Sequence, residues 1–300
     1  MRKIAYLCCA ALLLLGFSTL VAAPTVDPAF EYTLLVTDLV QPKGIDSAHR
    51  QAGAGPMGDY LYVAESGMNR IVRFDPDGND LSVHAPTIGQ FPVGVNCYGG
   101  PFAQYMYVGC AFSGGIERID VNGNTAPFAL LMLDIAGIDF GKGQFGEFMY
   151  AGEWTAGNIW KVDTLGNAVL FTTLPAGSQS RYLRFGAGGA FGHDLYVTDF
   201  MSGKIFRIDS SGLVTQFADT GALGLEGLEF SSGGAFGRYL YTGNILTGDL
   251  YRVDSDGTVM VWASGFAGVA DITFVPGGRG GFSMYFVDGH DSVYKISKTK

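Results

Sequence analysis

From about residue 31 to the end of the chain, short apolar stretches alternate with Gly-rich or Asp-Gly turns, and no apolar pattern of helical period runs for long. The phrase "GGAFGHDLYVTDFMSGKIFRID" (Gly188–Asp209) returns 45 positions later as "GGAFGRYLYTGNILTGDLYRVD" (Gly233–Asp254). Its apolar-Tyr core occurs six times, beginning at Leu61, Met106, Met149, Leu195, Leu240 and Met284, at intervals of 45, 43, 46, 45 and 44. A fixed period of this length marks a repeated supersecondary unit. In the third unit, Ala136–Phe140, Phe148–Glu153, Asn158–Asp163 and Ala168–Leu174 read as four successive strands. The turn before each fourth strand repeats as "DPDGN", "DVNGN", "DTLGN", "DSSG" and "DSDG". Asp opens each one and Gly supplies positive φ near its end, which is hairpin chemistry.

Four antiparallel strands per unit and six units predict an all-β, six-bladed β-propeller. The sixth unit, "VADITF", "SMYFVD" and "SVYKIS", ends one strand short. An orphan strand, "EYTLLVTDL" (Glu31–Leu39), precedes the first unit and resembles the fourth strands. Placed on the last blade, it closes the ring and leaves no open face between blades.

The first 23 residues differ from the rest. Arg2 and Lys3 precede an apolar run, Ile4–Phe17, that ends in small residues up to Ala22 and Ala23. This is the pattern of a secretory signal peptide, so residues 1–23 are expected to be removed and 24–300 to form a single propeller domain that is periplasmic or extracellular. No later segment is apolar and long enough for a membrane span. Without the leader, 17 Lys+Arg stand against 28 Asp+Glu, and so acidic a body argues against nucleic-acid binding by bulk charge. A monomer with a protein or small-molecule partner is the expectation. Cys97 and Cys110 fall at opposite ends of one hairpin, about five residues apart along the strand, and are expected to be free and buried rather than bridged.

Two columns recur in every blade. Tyr62, Tyr107, Tyr150, Tyr196, Tyr241 and Tyr285 lie on second strands; Arg73, Arg118, Lys161, Arg207, Arg252 and Lys295 lie opposite them on third strands. The spacing predicts cross-strand pairs, with the cation over or beside the Tyr ring. Phe145, Phe191 and Phe236 of the Gly-rich loops are expected to plug their blades. With these residues in view, Gly44–Gly78 resembles an NHL repeat, through its Gly-apolar, apolar-Tyr-Val-Ala-Glu, Asn-Arg-Ile and Asp-x-x-Gly elements, and all six units follow with decreasing fidelity. The resemblance implies the broad group of six-bladed propellers that includes gluconolactonase-like lactonases, streptogramin lyases, strictosidine-synthase-like proteins and non-enzymatic binders.

That resemblance also says where to look. Lactonases similar to this family hold a divalent metal with Glu, Asn and Asp just before the first strand's Gly. Here those positions are Lys43, Val93, Ala136, Arg181, Glu226 and Ala270, which is no oxygen-ligand set. No cofactor is implied, and neither a catalytic nor a structural Ca2+ is supported, since the Asp-rich turns lack the distal Glu of a calcium loop. His290, between Asp288 and Asp291, is the one His on the expected ligand face; His49, His84 and His193 fall on the other side or on outer strands. Glu226, Arg181 and His290, with Glu153, are thus the weak candidates for an enzyme. Glu65, Glu153, Asp199, Asp288 and Asn244 end second strands and read as turn caps. The turns after them carry Phe112, Trp154, Phe200, Met201, Ile245 and Leu246, an apolar rim that either binds a partner or folds inward over the axis. Together with Glu153 and Asp199 these residues form the expected binding face. The sequence therefore favours a binding module, with a lactonase- or lyase-type enzyme as the alternative.

Overall fold

The computed structural model describes residues 23–47, 57–97, 100–113, 115–130, 134–231, 233–277 and 281–299; the leader, apart from its last residue, and His49 lie outside them. Six four-stranded antiparallel sheets are arranged in sequence order, each with its first strand innermost. The first strands are Pro42–Ser47, Pro92–Cys97, Ile135–Phe140, Ser180–Phe185, Leu225–Phe230 and Asp271–Gly277. The protein is a six-bladed β-propeller. Apart from half-buried Lys43 and exposed Pro276, the first strands are buried among the residues whose burial is described, because each is flanked by neighbouring blades.

The N-terminal segment closes the ring. Phe30–Val36 pairs antiparallel with Val293–Lys298 and becomes the outermost strand of blade 6. Upstream, Thr25–Val26 adds a fifth strand to the edge of blade 5, opposite Ser264 and Ala263, which the repeat pattern did not indicate. The segment thus straddles two blades, and the Phe30 ring packs on Phe236 and Trp262 of blade 5 at 4.8 and 5.1 Å.

Adjacent blades are riveted by aromatic rings. The Gly-rich loops form short 3-10 turns that drive Phe102, Phe145, Phe191 and Phe236 under the next blade. There each ring meets the Phe near the end of the next first strand: Phe140, Phe185, Phe230 and Phe274, at 4.8 to 5.1 Å. Removing one such ring costs about 3–5 kcal/mol. Cys97 holds the equivalent position in blade 2, in a cluster with Met57 from blade 1. Cys97 and Cys110 are both buried and not bridged to each other.

The Tyr and cation columns pair in register in all six blades, from Tyr62 with Arg73 to Tyr285 with Lys295. The cation, however, does not cover the Tyr it opposes, except in blade 6. Arg73, Arg118, Lys161 and Arg252 lie over Tyr60, Tyr105, Phe148 and Tyr239, two positions before the column, at 3.9 to 4.8 Å. In blade 4 that position is Asp194, and Arg207 makes an ion pair with it at 2.6 Å. The column tyrosines turn inward instead. Tyr62, Tyr150, Tyr196 and Tyr241 donate their hydroxyls to the backbone carbonyl five residues earlier, at 2.6 to 3.0 Å, tying each Gly-rich loop to its blade.

Burial pushes the phenols of Tyr62, Tyr107, Tyr150 and Tyr196 up to about 12. A folded-state value above the unfolded one means this contribution is complete below about pH 10 and is lost as pH rises through about 12. Near-ultraviolet phenolate absorbance should therefore report ionisation of these tyrosines together with loss of the β-sheet circular dichroism as pH approaches 12. Their ionisation near pH 10 with the sheet signal intact would contradict the buried ladder.

Candidate functional site at the propeller axis

Around the axis, one residue of each first strand faces its counterparts: Gly44, Gly94, Gly137, Tyr182, Gly227 and Asp271. At the glycines the strands approach until backbone meets backbone. A Cβ at Gly44 would strike the Val93 carbonyl oxygen, and one at Gly94 the Ala136 carbonyl oxygen; at Gly137 it would lie 2.6 Å from the Tyr182 Cα. The two exceptions fill the space left over. Tyr182 is fully buried and reaches across from blade 4, donating its hydroxyl to the Lys43 carbonyl at 2.6 Å and the Val93 carbonyl at 3.3 Å. Asp271 accepts N–H groups of Ile45 at 3.0 Å and Ile272 at 2.9 Å. Burial pushes its carboxyl up to about 7, against the opposing effects of the nearby Arg184 charge and the two N–H donors. Its folded form therefore holds a proton that the unfolded chain releases near pH 4, so its contribution to stability is greatest in acid and is lost as pH rises through about 7.

Two residues further along the same strands, the side chains form a buried polar belt: Asp46, Asn96, Asp139, Arg184, Glu229 and Thr273. Most of its bonds run from blade to blade. Asp46 accepts the Cys97 N–H at 2.8 Å, Asn96 donates to Asp139 at 3.2 Å, Asp139 accepts the Phe185 N–H at 2.8 Å, and Arg184 pairs with Glu229 at 3.0 Å. Sequence reasoning passed over this belt. Aligning the six repeats would have exposed it as a column with no apolar member.

On the other side of the Tyr182 seal is the axial mouth, lined by the residues that precede the glycine column. Val93, Ala136 and Ala270 are buried there, Lys43 is half-buried, and Arg181 lies 3.8 Å from Glu226. The Arg181 guanidinium is clamped between the Trp154 ring at 3.4 Å and the Phe200 ring at 4.2 Å. Trp154 is held in turn by its indole N–H donating to Gln179 at 3.0 Å. Burial lowers the pKa of Lys43; the Arg181 charge lowers it further, while Glu226 and Asp288 act in the opposite sense. Among the described residues no group of three His, Cys, Asp or Glu is placed to hold a metal ion.

The rim residues divide. Trp154 and Phe200 fold inward onto Arg181, and Ile245 packs beside Ala270 and Val287. Phe112, Met201 and Leu246 stay exposed, at 59, 52 and 57%. Val40, Met68, Ile88 and Leu223, on loops of the same face, are exposed as well and had not been singled out from sequence. Three lie on loops that join blades and the fourth follows a second strand, so they become rim residues only once the ring is assembled.

The carboxylates ending second strands are occupied by local bonds. Asp199 accepts from Gln179 N–H at 2.7 Å and the Ser202 hydroxyl at 2.6 Å, and Asp288 accepts three successive N–H groups, from His290, Asp291 and Ser292. Asn244 accepts from the Leu246 and Thr247 N–H groups, Glu153 from Asn158 and Trp160, and Glu65 from Val40 N–H and Arg70. In blade 2 Cys110 fills this position, its thiol pushed up by burial first and by the nearby Glu117. His290 is exposed at its turn. The structure thus brings Lys43, Arg181 and Glu226 together, with Trp154 and Phe200 around them.

No protein-family profile matches the chain, and no curated protein matches it in sequence. Solved structures do resemble it. A catalytically inactive H270A virginiamycin B lyase from Staphylococcus aureus, crystallised with quinupristin, superposes with TM-score 0.64 at 16% identity, covering 90% of this chain and all of that one. A gluconolactonase from Xanthomonas campestris superposes at 0.68 with 12% identity, covering 92% of this chain and 95% of that one. A structural-genomics protein of unknown function from Bacteroides thetaiotaomicron reaches 0.67 at 12% identity, covering 90% of this chain and 76% of that one. At such identities the likeness establishes the fold alone.

The clamped ion pair makes a testable energetic claim. Arg181→Met leaves Glu226 buried without its guanidinium and should cost about 3 kcal/mol in urea denaturation. Adding Glu226→Gln should recover at least half of that loss, because both charges are then gone. Additive losses in the double variant would show that the two side chains are not coupled.

Proposed function

We propose that the protein is an exported binding module that engages a protein or small-molecule ligand through the propeller face containing the axial mouth. One observation carries this reading: Tyr182 closes the axis just beneath that face, while Phe112, Met201 and Leu246 stand exposed around it. On this side of the seal the Arg181–Glu226 pair and Lys43 lie near the axis, and the loops around them carry exposed apolar side chains. Large apolar side chains kept in water around one end of the axis support a binding role rather than a folding one. The acidic body disfavours nucleic acid as the ligand. Among the described residues no helix is long and apolar enough to cross a membrane.

A second reading is a lactonase- or lyase-type enzyme with its site at the same mouth. It is favoured by Lys43, whose lowered pKa brings an amine base closer to neutral pH, and by the virginiamycin B lyase and the gluconolactonase among the similar structures. Lys43 would take the proton, with Arg181 and Glu226 beside it. Turnover of a lactone or cyclic depsipeptide that falls about 100-fold in Lys43→Met would establish this reading in place of the first.

For the binding module, a thermal-shift screen of lactones, sugars, peptides and amphipathic acids should find a ligand that raises the Tm of the native protein by several degrees. That ligand should leave Phe112→Ser/Met201→Ser/Leu246→Ser unshifted, although the variant's own Tm stays within about 2 °C of the native value, as expected for exposed positions. Equal shifts in both proteins would place the site elsewhere.

A further inference from the structure

We propose that the mouth face of the propeller is a peripheral membrane-docking surface, which lies on zwitterionic lipid through apolar side chains presented around its ring of loops. The inference rests on the reading of this face as a binding surface and goes beyond it by naming a lipid surface as the partner.

The argument begins with where the exposed apolar side chains are. To Phe112, Met201 and Leu246 the loops at this end add Val40, Met68, Ile88 and Leu223, at 42, 49, 62 and 55% exposure. Met68, Phe112, Met201 and Leu246 follow the second strands of blades 1, 2, 4 and 5, and the other three lie in the connections into blades 1, 2 and 5. Side chains distributed around a ring at one end define a plane across the axis rather than a groove. A lipid surface is the partner that meets such a plane all at once, and exposed apolar residues are what it takes up.

These side chains are held out by ordered turns. The Phe112 N–H donates to the Gln90 carbonyl at 3.2 Å, and its ring lies 4.8 Å from that of half-buried Phe91. The Leu246 and Met201 N–H groups donate to the Asn244 and Asp199 side chains at 2.8 and 3.2 Å. The strand-end caps thus fix the backbone from which each apolar side chain projects.

The path of the chain is an independent observation. Thr25 pairs with Ser264, the last residue of the outer strand Val259–Ser264, and Val26 pairs with Ala263. Ser264 is at the mouth end, because the residues after it lead into the first strand of blade 6. Antiparallel pairing therefore has the chain enter at the mouth face and run away from it. Upstream, Ile4–Ala23 carries no charge and has the length needed to cross the hydrocarbon core of a bilayer. While the leader is attached, it keeps this face, and not the Asp-rich turns of the opposite end, beside the membrane.

Charge then selects the lipid. Among the described residues, the exposed charged side chains at this end are Asp38, Asp219 and Asp291, all acidic. They repel an anionic headgroup layer and leave a zwitterionic one to be met by the apolar side chains.

The test is flotation with phosphatidylcholine vesicles of the protein lacking residues 1–23, which keeps every described strand. Binding is expected, about 10-fold weaker or less in Phe112→Ser/Met201→Ser/Leu246→Ser. It should be unchanged in Val121→Ser/Leu165→Ser/Leu213→Ser, which removes exposed apolar side chains from turns at the opposite end. Phosphatidylglycerol vesicles at low salt should bind less protein than phosphatidylcholine vesicles. Circular dichroism shows whether the variants fold, and Leu246→Asp alone provides the comparison if the mouth-face variant does not. No binding, an unchanged mouth-face variant, equal losses in the two variants, or tighter binding to phosphatidylglycerol would overturn the proposal. If vesicles fail to bind while a soluble ligand still shifts the native protein and not the mouth-face variant, the face survives as a binding surface and only the lipid assignment falls. If neither vesicles nor any soluble ligand distinguishes that variant from the native protein, both readings fall.

Discussion

The approach of six backbone strands to one axis is the constraint on which this structure depends. Wherever Gly44, Gly94, Gly137 and Gly227 stand, a neighbouring backbone occupies the volume a side chain would take. Ring closure by Phe30–Val36, the Phe rivets between blades and the outward-stepping Tyr–cation pairs all hold the sheets at the distance this packing requires. Two residues break the glycine pattern, and they decide what the axis can be used for. Tyr182 crosses it and Asp271 fills the remaining side, so the propeller has a sealed centre with two unlike ends.

One end is a belt of charges and amides that bond mainly to the next blade around the ring. Buried bonds of this kind are costly to leave unmade, so they specify blade order more than they add net stability. The other end is the mouth, where the Arg181 guanidinium lies against two aromatic rings and Lys43 is paired with no carboxylate among the described residues. The same polar chemistry thus has opposite consequences at the two ends. In the belt the observed bonds run mainly between blades; at the mouth Lys43 makes no ion pair among the described residues.

Much of the fold was legible because it is periodic. The spacing of the apolar-Tyr core counted the blades, the missing final strand called for the N-terminal one, and the Tyr-to-cation spacing, 11 residues in five blades and 10 in the sixth, predicted a register that all six blades keep. The position of the cation was less legible. It rides over the aromatic residue two places earlier, because the opposed Tyr is drawn inward by its bond to the Gly-rich loop. The seal at Tyr182 was missed although its signal was present. In the column Gly44, Gly94, Gly137, Tyr182, Gly227 and Asp271 the exceptions carry the information, whereas attention had gone to the residues just before it. The rim was half legible: strand-end turns identify residues near the mouth, but only assembled packing separates inward Trp154 and Phe200 from exposed Phe112, Met201 and Leu246.

The central claim is that the axis is closed by backbone packing at these glycines. Its most direct measure is the thermal stability of Gly44→Ala beside that of Gly281→Ala. The latter is a glycine of ordinary φ with nothing within 4 Å of an added Cβ. A sealed axis predicts a loss of about 3 kcal/mol or more for Gly44→Ala, against a change within about 0.5 kcal/mol for Gly281→Ala. Equal stability of the two variants would mean that the strands do not meet at the axis, and the account of both its ends would fail with that result.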